Sequence, residues 1–424
     1  MGYIFEELVR KFSESYDEEA GAHFTARDII YLMTDLLVAD EKDILVNDNK
    51  VKTIYDMAMG TSQMLACMTD RLHQLNKNVQ VDCFGQELNP ETYAIAKADM
   101  LIKGGDADNF RQGDTLDDDK FKGYKFDYII SNPPFGIDWK KQKKAVEDES
   151  TKGINGRFPV GTPKISDGQM LFTLNGIAKL KDDGKMAIIQ NGSPLFSGAA
   201  GSGESEIRKY IIENDWLEAI VQLPTDLFYN TGISTYIWII NKDKDTLRKG
   251  KIQLIDASNC YVGRRKNVGN KRKDLDENAR SLILKAYSEF VNKKYAENNM
   301  IVESKVFENT EFGYRRITVE SPLYDDEGRI IKDNKGNIKP DSNRRDYENI
   351  PLKEDVNEYF EREVLPYNKE AWIDDKKTQL GYEISFTRYF YKYVRPENSE
   401  DIENRIRINE RKIMNSLEKL FKEV

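Results

Sequence analysis

Between residues 53 and 135, apolar stretches alternate with turns and amphipathic stretches, and this alternation constrains the fold more than any other feature. A strand, a glycine turn and a helix fall within 53–65, and a second strand over 79–87 precedes a helix over 91–103. A short third strand then ends at 112–116, and a fourth covers 126–130. Such alternation is typical of a mainly parallel sheet covered by helices. The sequence therefore predicts an α/β, Rossmann-like, doubly wound fold.

Polar side chains follow the predicted strands at the points where the strands end. Asp56 and the turn at Gly60 follow the first strand, Glu87 ends the second, and Asp114 ends the third. In open α/β sheets this edge binds ligands. A turn that lets the backbone approach a ligand, followed by a carboxylate that accepts from two ribose hydroxyls, is typical of nucleoside binding, and Asp114 could accept from an adenine amino group. With a single glycine in the turn, this signal is weak on its own.

The fourth strand runs directly into Asn132, Pro133, Pro134 and Phe135, which we call the hook. Neither proline can donate a ladder hydrogen bond, so the strand must end there. The hook offers an amide oxygen, the Pro133 carbonyl and an aromatic face, which suit a planar ring bearing an exocyclic amine. An ordinary turn with Phe135 in the core is the alternative. Together with a nucleoside site, the hook favours methyl transfer from S-adenosyl-L-methionine to an amine.

Composition restricts the remaining classes. The 424 residues, 39% hydrophobic and 32% charged, suit a globular chain of two or three domains. The sequence has no apolar run of about 18 residues, the length that would predict a membrane-spanning helix. Cys67, Cys83 and Cys260 lie far apart without metal-ligand spacing, so we expect no metal site and a reducing, cytoplasmic location. The net charge of −9 argues against a chain that grips nucleic acid over its whole surface.

The order of HFTARD, DMAMGTSQML, GQELNPE, GDTL and NPPF closely resembles the amino-methyltransferases of DNA, above all the modification (methyltransferase) subunit of type I restriction-modification systems. Downstream stretches such as GRFPVGTPKISDGQMLF and LFYNTGISTYIWIINK are similar to the same family, so the likeness covers nearly the whole chain. The resemblance implies a site-specific DNA methyltransferase that uses S-adenosyl-L-methionine to methylate N6 of a flipped adenine.

The resemblance also implies roles for individual residues. The catalytic hook is Asn132, Pro133, Pro134 and Phe135. The cofactor-binding residues are Ala22, His23, Phe24, Thr25, Ala26 and Arg27 in a first loop, Asp56, Gly60, Thr61, Ser62 and Gln63 around the glycine turn, Glu87 for the ribose and Asp114 for the adenine. Ala26 and Met57 stand where the family usually has proline, and Ser62 and Gln63 where glycine is frequent. The Gln63 side chain is expected to crowd the methionine moiety.

Four regions are expected along the chain. Residues 1–40 hold an amphipathic helix over 1–20, the cofactor loop and a helix from Ile29 to Leu37 with Thr25 as its N-cap. The family's upstream helical domain is missing, which predicts a truncated product or a fragment. Residues 41–245 form the catalytic domain, including a long surface loop over 136–168. Residues 246–395 form an extension with a basic stretch at 264–273, within a mostly helical C-terminal region.

Residues 396–424 are predicted to form a coiled-coil-like terminal helix, because apolar residues recur at spacings of three, four and seven: Ile402, Ile406, Ile413, Leu417, Leu420 and Val424. This helix either packs on its own domain or, as the resemblance implies, docks a DNA-specificity subunit. The implied partners also include double-stranded DNA, a second methyltransferase subunit and a restriction nuclease subunit. Two other functions stay open: a degenerate scaffolding subunit that binds the cofactor poorly, and a protein glutamine methyltransferase, whose carboxamide substrate poses the same chemical problem.

Overall fold

The computed structural model describes residues 25–41, 51–229, 231–391, 393 and 396–422. The helix expected over 1–20 and the cofactor-loop residues Ala22, His23 and Phe24 lie outside this range. The chain divides into two compact units, Met1–Ile384 and Ser385–Val424.

The first unit is built on one sheet with the strand order β11-β12-β8-β6-β7-β5-β4-β1-β2-β3. The strands of the first unit are β1 Val51–Asp56, β2 Gln80–Glu87, β3 Phe110–Gln112, β4 Phe126–Ser131, β5 Leu180–Asn191, β6 Leu217–Gln222, β7 Thr235–Asn241, β8 Lys251–Asn259, β9 Val262–Val268, β10 Lys271–Asp274, β11 Lys293–Glu297, β12 Met300–Glu308, β13 Gly313–Glu320, β14 Asp346–Pro351, β15 Trp372–Ile373 and β16 Gln379–Tyr382.

Strands β3, β2, β1, β4 and β5 pair in parallel, β7 lies antiparallel between β5 and β6, and β6 pairs in parallel with β8. Every residue of β7 (TYIWIIN) is buried, as is usual for a sheet covered on both faces. The predicted doubly wound, mainly parallel fold is confirmed. The carboxyl ends of β1, β2, β3 and β4 meet along one edge, which is where the site residues lie.

The α-helices are α1 Arg27–Val38, α2 Gln63–Leu75, α3 Pro90–Ile102, α4 Lys143–Ser150, α5 Gln169–Lys179, α6 Ser193–Phe196, α7 Gly203–Glu213, α8 Glu277–Glu289, α9 Val356–Tyr359, α10 Phe386–Phe390 and α11 Ser399–Lys422. Helix α1 packs against α2 and α8. Ile30 of α1, Leu65 of α2 and Ile283 of α8 belong to one core with Ile130 and Ile239 of the sheet. Burying each such side chain contributes about 1.5–3 kcal/mol, so this core holds the start of α1 beside the sheet edge.

The region after residue 245 contains more strands than the expected mostly helical extension. Strands β8, β12 and β11 continue the central sheet, β9 pairs with β10, and β13 pairs with β14, β15 and β16. Isolated antiparallel bridges join Pro322 to Pro340, Tyr324 to Ile330 and Lys332 to Ile338, which gives residues 322–340 a hairpin-like form. The predicted terminal helix is present as α11 in the second unit. The domain boundaries proposed from the sequence stay predictions.

The segment after the hook is not the long surface loop that the sequence suggested. It contains α4, and it buries Trp139, Arg157 and Phe158. Its high content of lysine and acidic residues concealed these contacts. Within the residues described, no helix has the length and apolar character that a membrane crossing requires.

Candidate active site

Asp56 ends β1 and is 1% exposed. Its Oδ1 accepts hydrogen bonds from the Ser131 hydroxyl at 2.7 Å and the Ala58 N–H at 3.1 Å. Burial, with a smaller contribution from the charge of Glu87, raises the pKa of Asp56 to about 7. Because Ser131 directly precedes the hook, the hydrogen bond from Ser131 to Asp56 joins the start of the glycine turn to the end of β4.

The turn between β1 and α2 has two positions, 60 and 62, whose backbone conformation favours glycine. Gly60 (φ +51°) and Ser62 (φ +62°) both adopt left-handed backbone conformations. This explains in physical terms why a glycine suits position 62. The Ser62 hydroxyl donates to the Ala96 carbonyl at 3.3 Å, so that side chain is engaged with α3. Thr61 is half-buried, and Gln63, the first residue of α2, is 8% exposed. The proposed crowding of the cofactor by Gln63 stays a prediction.

Glu87 ends β2 and is joined to the same turn. Its Oε2 accepts the Gly60 N–H at 2.9 Å and its Oε1 accepts the Asn89 N–H at 2.9 Å. Burial raises the pKa of Glu87, while these backbone donors act in the opposite direction. Each carboxylate oxygen has a second lone pair, so the acid is held in place and can still accept from a ligand hydroxyl.

Asp114 follows β3 and is also held by local contacts. Its Oδ1 accepts the Leu116 N–H at 2.9 Å, and its Oδ2 accepts from the Gln142 side-chain amide at 2.6 Å. The Thr115 hydroxyl donates to the Met57 carbonyl at 2.5 Å, which connects this loop to the glycine turn. Gln142 was missed because it lies in the segment interpreted as a solvated loop.

The hook contacts the described part of the cofactor loop. The Asn132 amide donates from Nδ2 to the Thr25 hydroxyl oxygen at 2.9 Å. The prediction that Thr25 caps α1 is wrong, because Ala26 occupies the N-cap position without a side-chain cap. Pro133 is buried and Pro134 half-buried. Thr25 is thus committed to the hook, 107 residues away, rather than to its own helix.

Phe135 is 7% exposed, and its ring lies nearly perpendicular to that of Phe228, with centroids 6.5 Å apart. Residues 262–274, which comprise β9, β10 and the turn between them, are called the basic ribbon. The loop that carries Phe228 is hydrogen-bonded to this ribbon. The Asn270 N–H donates to the Tyr229 carbonyl at 2.7 Å, and Lys271 Nζ donates to the Leu227 carbonyl at 3.0 Å. The basic ribbon is therefore attached to the element that backs the hook.

Arg157 connects α4 to the loop after Asp114. Arg157 is 7% exposed. Its guanidinium donates to the Thr115 carbonyl at 2.5 Å, to the Leu116 carbonyl at 3.0 Å and to both carboxylate oxygens of Glu149. Burial acts to raise the pKa of Glu149, but the Arg157 hydrogen bonds and charge lower it below its usual value. Sequence patterns do not identify this network, because it joins segments distant in the chain.

Most of the predicted site residues therefore meet along one sheet edge: Thr25, Ala26, Asp56, Gly60, Thr61, Ser62, Gln63, Glu87, Asp114, Asn132, Pro133, Pro134 and Phe135. Arg27 is half-buried at the first turn of α1. Two fixed acids flank a turn whose backbone is open at Gly60, where an added Cβ would meet no atom within 4 Å. This arrangement fits a nucleoside whose hydroxyls and amino group donate to acids. In the described part of the chain, His, Cys, Asp and Glu side chains form no cluster suited to a metal ion.

Comparison with known proteins gives concordant matches. The profile of the family described as N-6 DNA Methylase matches residues 1–313. The chain is 31% identical over 271 residues to the type I restriction enzyme MjaIX methylase subunit of Methanocaldococcus jannaschii, covering 63% of this chain and 46% of that protein. It is 31% identical over 267 residues to the HindI methylase subunit of Haemophilus influenzae, covering 61% and 54%.

Among solved structures, the methyltransferase subunit of a type I restriction-modification system from Streptococcus thermophilus is similar with a TM-score of 0.57 and 26% identity, over 70% of this chain and 57% of that one. The chain spans about half the length of the sequence relatives described above.

Proposed function

We propose that this chain, which belongs to the N-6 DNA methylase family, transfers a methyl group from S-adenosyl-L-methionine to N6 of an adenine flipped out of duplex DNA. The observation that carries the proposal is the 2.9 Å hydrogen bond from Asn132 to Thr25. It joins the amine-binding hook to the described part of the cofactor loop, beside strand ends that present Glu87 and Asp114. An amine acceptor and a nucleoside site side by side suit methyl transfer between them.

Three features would hold the cofactor. Glu87 would accept from the ribose hydroxyls, Asp114 from the adenine amino group, and the backbone of the turn from Gly60 to Gln63 would approach the methionine moiety. The Gly60 and Asn89 N–H groups that bind Glu87 keep its carboxylate oriented before the cofactor arrives. When bound, the cofactor supplies an electrophilic methyl group on a sulfonium that leaves as a neutral thioether.

The hook would position the substrate amine. The Asn132 amide nitrogen donates to Thr25, which directs the amide oxygen toward a different partner. In our proposal that oxygen and the Pro133 carbonyl accept the two N–H protons of adenine N6, so that its lone pair points at the methyl group. Phe135 stacks on the flipped base and is supported by Phe228. Positioning rather than a strong base provides most of the acceleration, and the extra proton leaves to solvent after transfer.

The basic ribbon supports DNA as the substrate. Of its charged side chains only Asp274 is acidic, and Arg265, Lys266 and Arg272 are exposed. Lys271, 1% exposed, anchors the ribbon through Asp28 at 3.0 Å. The exposed cations thus lie on an element fixed to the loop behind Phe135, where the phosphates flanking a flipped base would pass.

We also propose that the chain acts in a type I complex in the cytoplasm. Its partners would be double-stranded DNA, a DNA-specificity subunit docked on α11, a second methyltransferase subunit and a restriction nuclease subunit. Helix α11 carries exposed apolar residues, including Ile406, Ile413 and Leu417, that suit coiled-coil packing. These assignments rest on the family and on this exposed seam.

Tritium transfer from labelled S-adenosyl-L-methionine to DNA, by the chain co-purified with a specificity subunit, tests the proposal. Asn132→Ala should abolish transfer with little change in cofactor affinity by calorimetry, whereas Glu87→Ala should lose cofactor binding. Asn155→Ala, at an exposed asparagine, serves as the matched control. An active Asn132→Ala variant would remove the hook from the mechanism. Label recovered on protein would favour the glutamine methyltransferase, and a parent chain without cofactor binding would favour the scaffolding subunit.

A further inference from the structure

We infer that Gln142 is a specificity-determining residue for the adenine of the cofactor, accepting the second N–H of its 6-amino group beside Asp114. The inference rests on the proposed cofactor site and deepens it. The segment that holds Gln142 follows the hook, so the substrate side of the site would contribute directly to cofactor selection.

The orientation of the Gln142 amide follows from its partner. Its Nε2 lies 2.6 Å from Asp114 Oδ2, and an ionised carboxylate only accepts hydrogen bonds. A flipped amide would place two acceptors against each other, so the nitrogen must face Asp114 and Oε1 must face elsewhere. That oxygen is buried, and it has no hydrogen-bond partner among the described residues.

A buried acceptor without a donor carries a desolvation penalty that a ligand N–H would relieve. The adenine amino group has two protons, and the hydrogen-bonded pair of Asp114 and Gln142 offers two acceptors, Asp114 Oδ2 and Gln142 Oε1. The two donors of the ligand therefore match the two acceptors of the protein in number and in chemical type.

The backbone around Gln142 is held in place. Its N–H donates to the Trp139 carbonyl at 3.1 Å, and its carbonyl accepts from the Val146 N–H at 3.0 Å. Trp139 is 2% exposed and donates from its ring nitrogen to the Lys164 carbonyl at 3.0 Å. Gln142 thus belongs to a packed turn at the start of α4, which preorganises its amide beside Asp114.

A purine with an oxygen at position 6 would place an acceptor against the two acceptors of Asp114 and Gln142, so we expect it to bind more weakly. Calorimetry of the full chain with S-adenosylhomocysteine and S-inosylhomocysteine, which differ at that position, reads this out without DNA or turnover. The parent should prefer the adenosyl ligand strongly. Gln142→Met should reduce that preference by about tenfold, chiefly through weaker adenosyl binding, as expected for one lost hydrogen bond.

Gln80→Met is the matched control, because Gln80 also donates to an aspartate, Asp82, but is exposed at the start of β2. It should leave the preference unchanged. An unaltered preference in a Gln142→Met variant with the parent's urea midpoint would overturn the Gln142 assignment alone. A parent that binds neither ligand would overturn the cofactor proposal and this inference together.

Discussion

Replacing Arg157 by methionine tests whether the segment after the hook is structurally coupled to the cofactor edge. The change removes hydrogen bonds to Glu149 and to the Thr115 and Leu116 carbonyls. Breaking a buried ion pair on one side typically costs about 3–5 kcal/mol. Because the Glu149 side chain is 19% exposed and can regain water, we expect the lower end, about 3 kcal/mol.

The loss of stability in the Arg157 variant should depend on pH, and the pKa of Glu149 determines the direction of that dependence. The folded-state pKa of Glu149 is lowered by Arg157, so its contribution is present above its unfolded pKa and is lost as the pH falls through the folded value. The stability difference between parent and variant should therefore be largest near neutral pH and shrink in acid. Urea unfolding at neutral and acidic pH measures this difference.

Arg362→Met is the control, because Arg362 is exposed and pairs with the half-buried Glu354 and the exposed Glu363. We expect it to leave the free energy of unfolding nearly unchanged, because ion pairs between solvent-exposed side chains contribute little. Cofactor affinity should fall in the Arg157 variant, since Thr115 and Leu116 follow Asp114 directly. A loss of stability in the Arg157 variant at neutral pH that is no larger than that of the control would refute the reasoning.

Three further predictions follow from single features of the site. The folded-state pKa of Asp56, about 7, exceeds its ordinary value near 4, so the contribution of Asp56 to stability is present in acid and is lost as the pH rises toward 7. In urea unfolding, Asp56→Asn should be more stable than the parent at pH 8, by roughly 2–4 kcal/mol, and equal to it near pH 4. Phe135→Ala should weaken binding of DNA with an unpaired adenine by about 1–3 kcal/mol in fluorescence titration, and an unchanged affinity would contradict base stacking. Replacing Arg265, Lys266 and Arg272 with alanine should lower the slope of log affinity for DNA against log salt by up to about 3, whereas the same change at Lys332, Lys335 and Lys339 should leave it unaltered.

The sequence determined the architecture of the sheet edge because the signals there are local. Strand ends are marked by Asp56, Glu87 and the two prolines of the hook, whose backbone chemistry acts within a few residues. Asn89 likewise caps α3 by accepting from the Glu91 and Thr92 N–H groups, and Pro90 follows at its first position. For such features, the neighbours in the chain are also the neighbours in space.

Other features were settled by contacts between distant segments. Thr25 pairs with Asn132, Gln142 with Asp114, and Arg157 with carbonyls 41 and 42 residues away. The strands after residue 245 likewise extend the sheet, and the periodicity of apolar residues in the sequence does not predict this pairing. A polar residue in a charged stretch has the same local pattern whether it is solvated or buried. Its partner is chosen only when the sheet brings the segments together and removes water between them, so the tertiary structure alone identifies it.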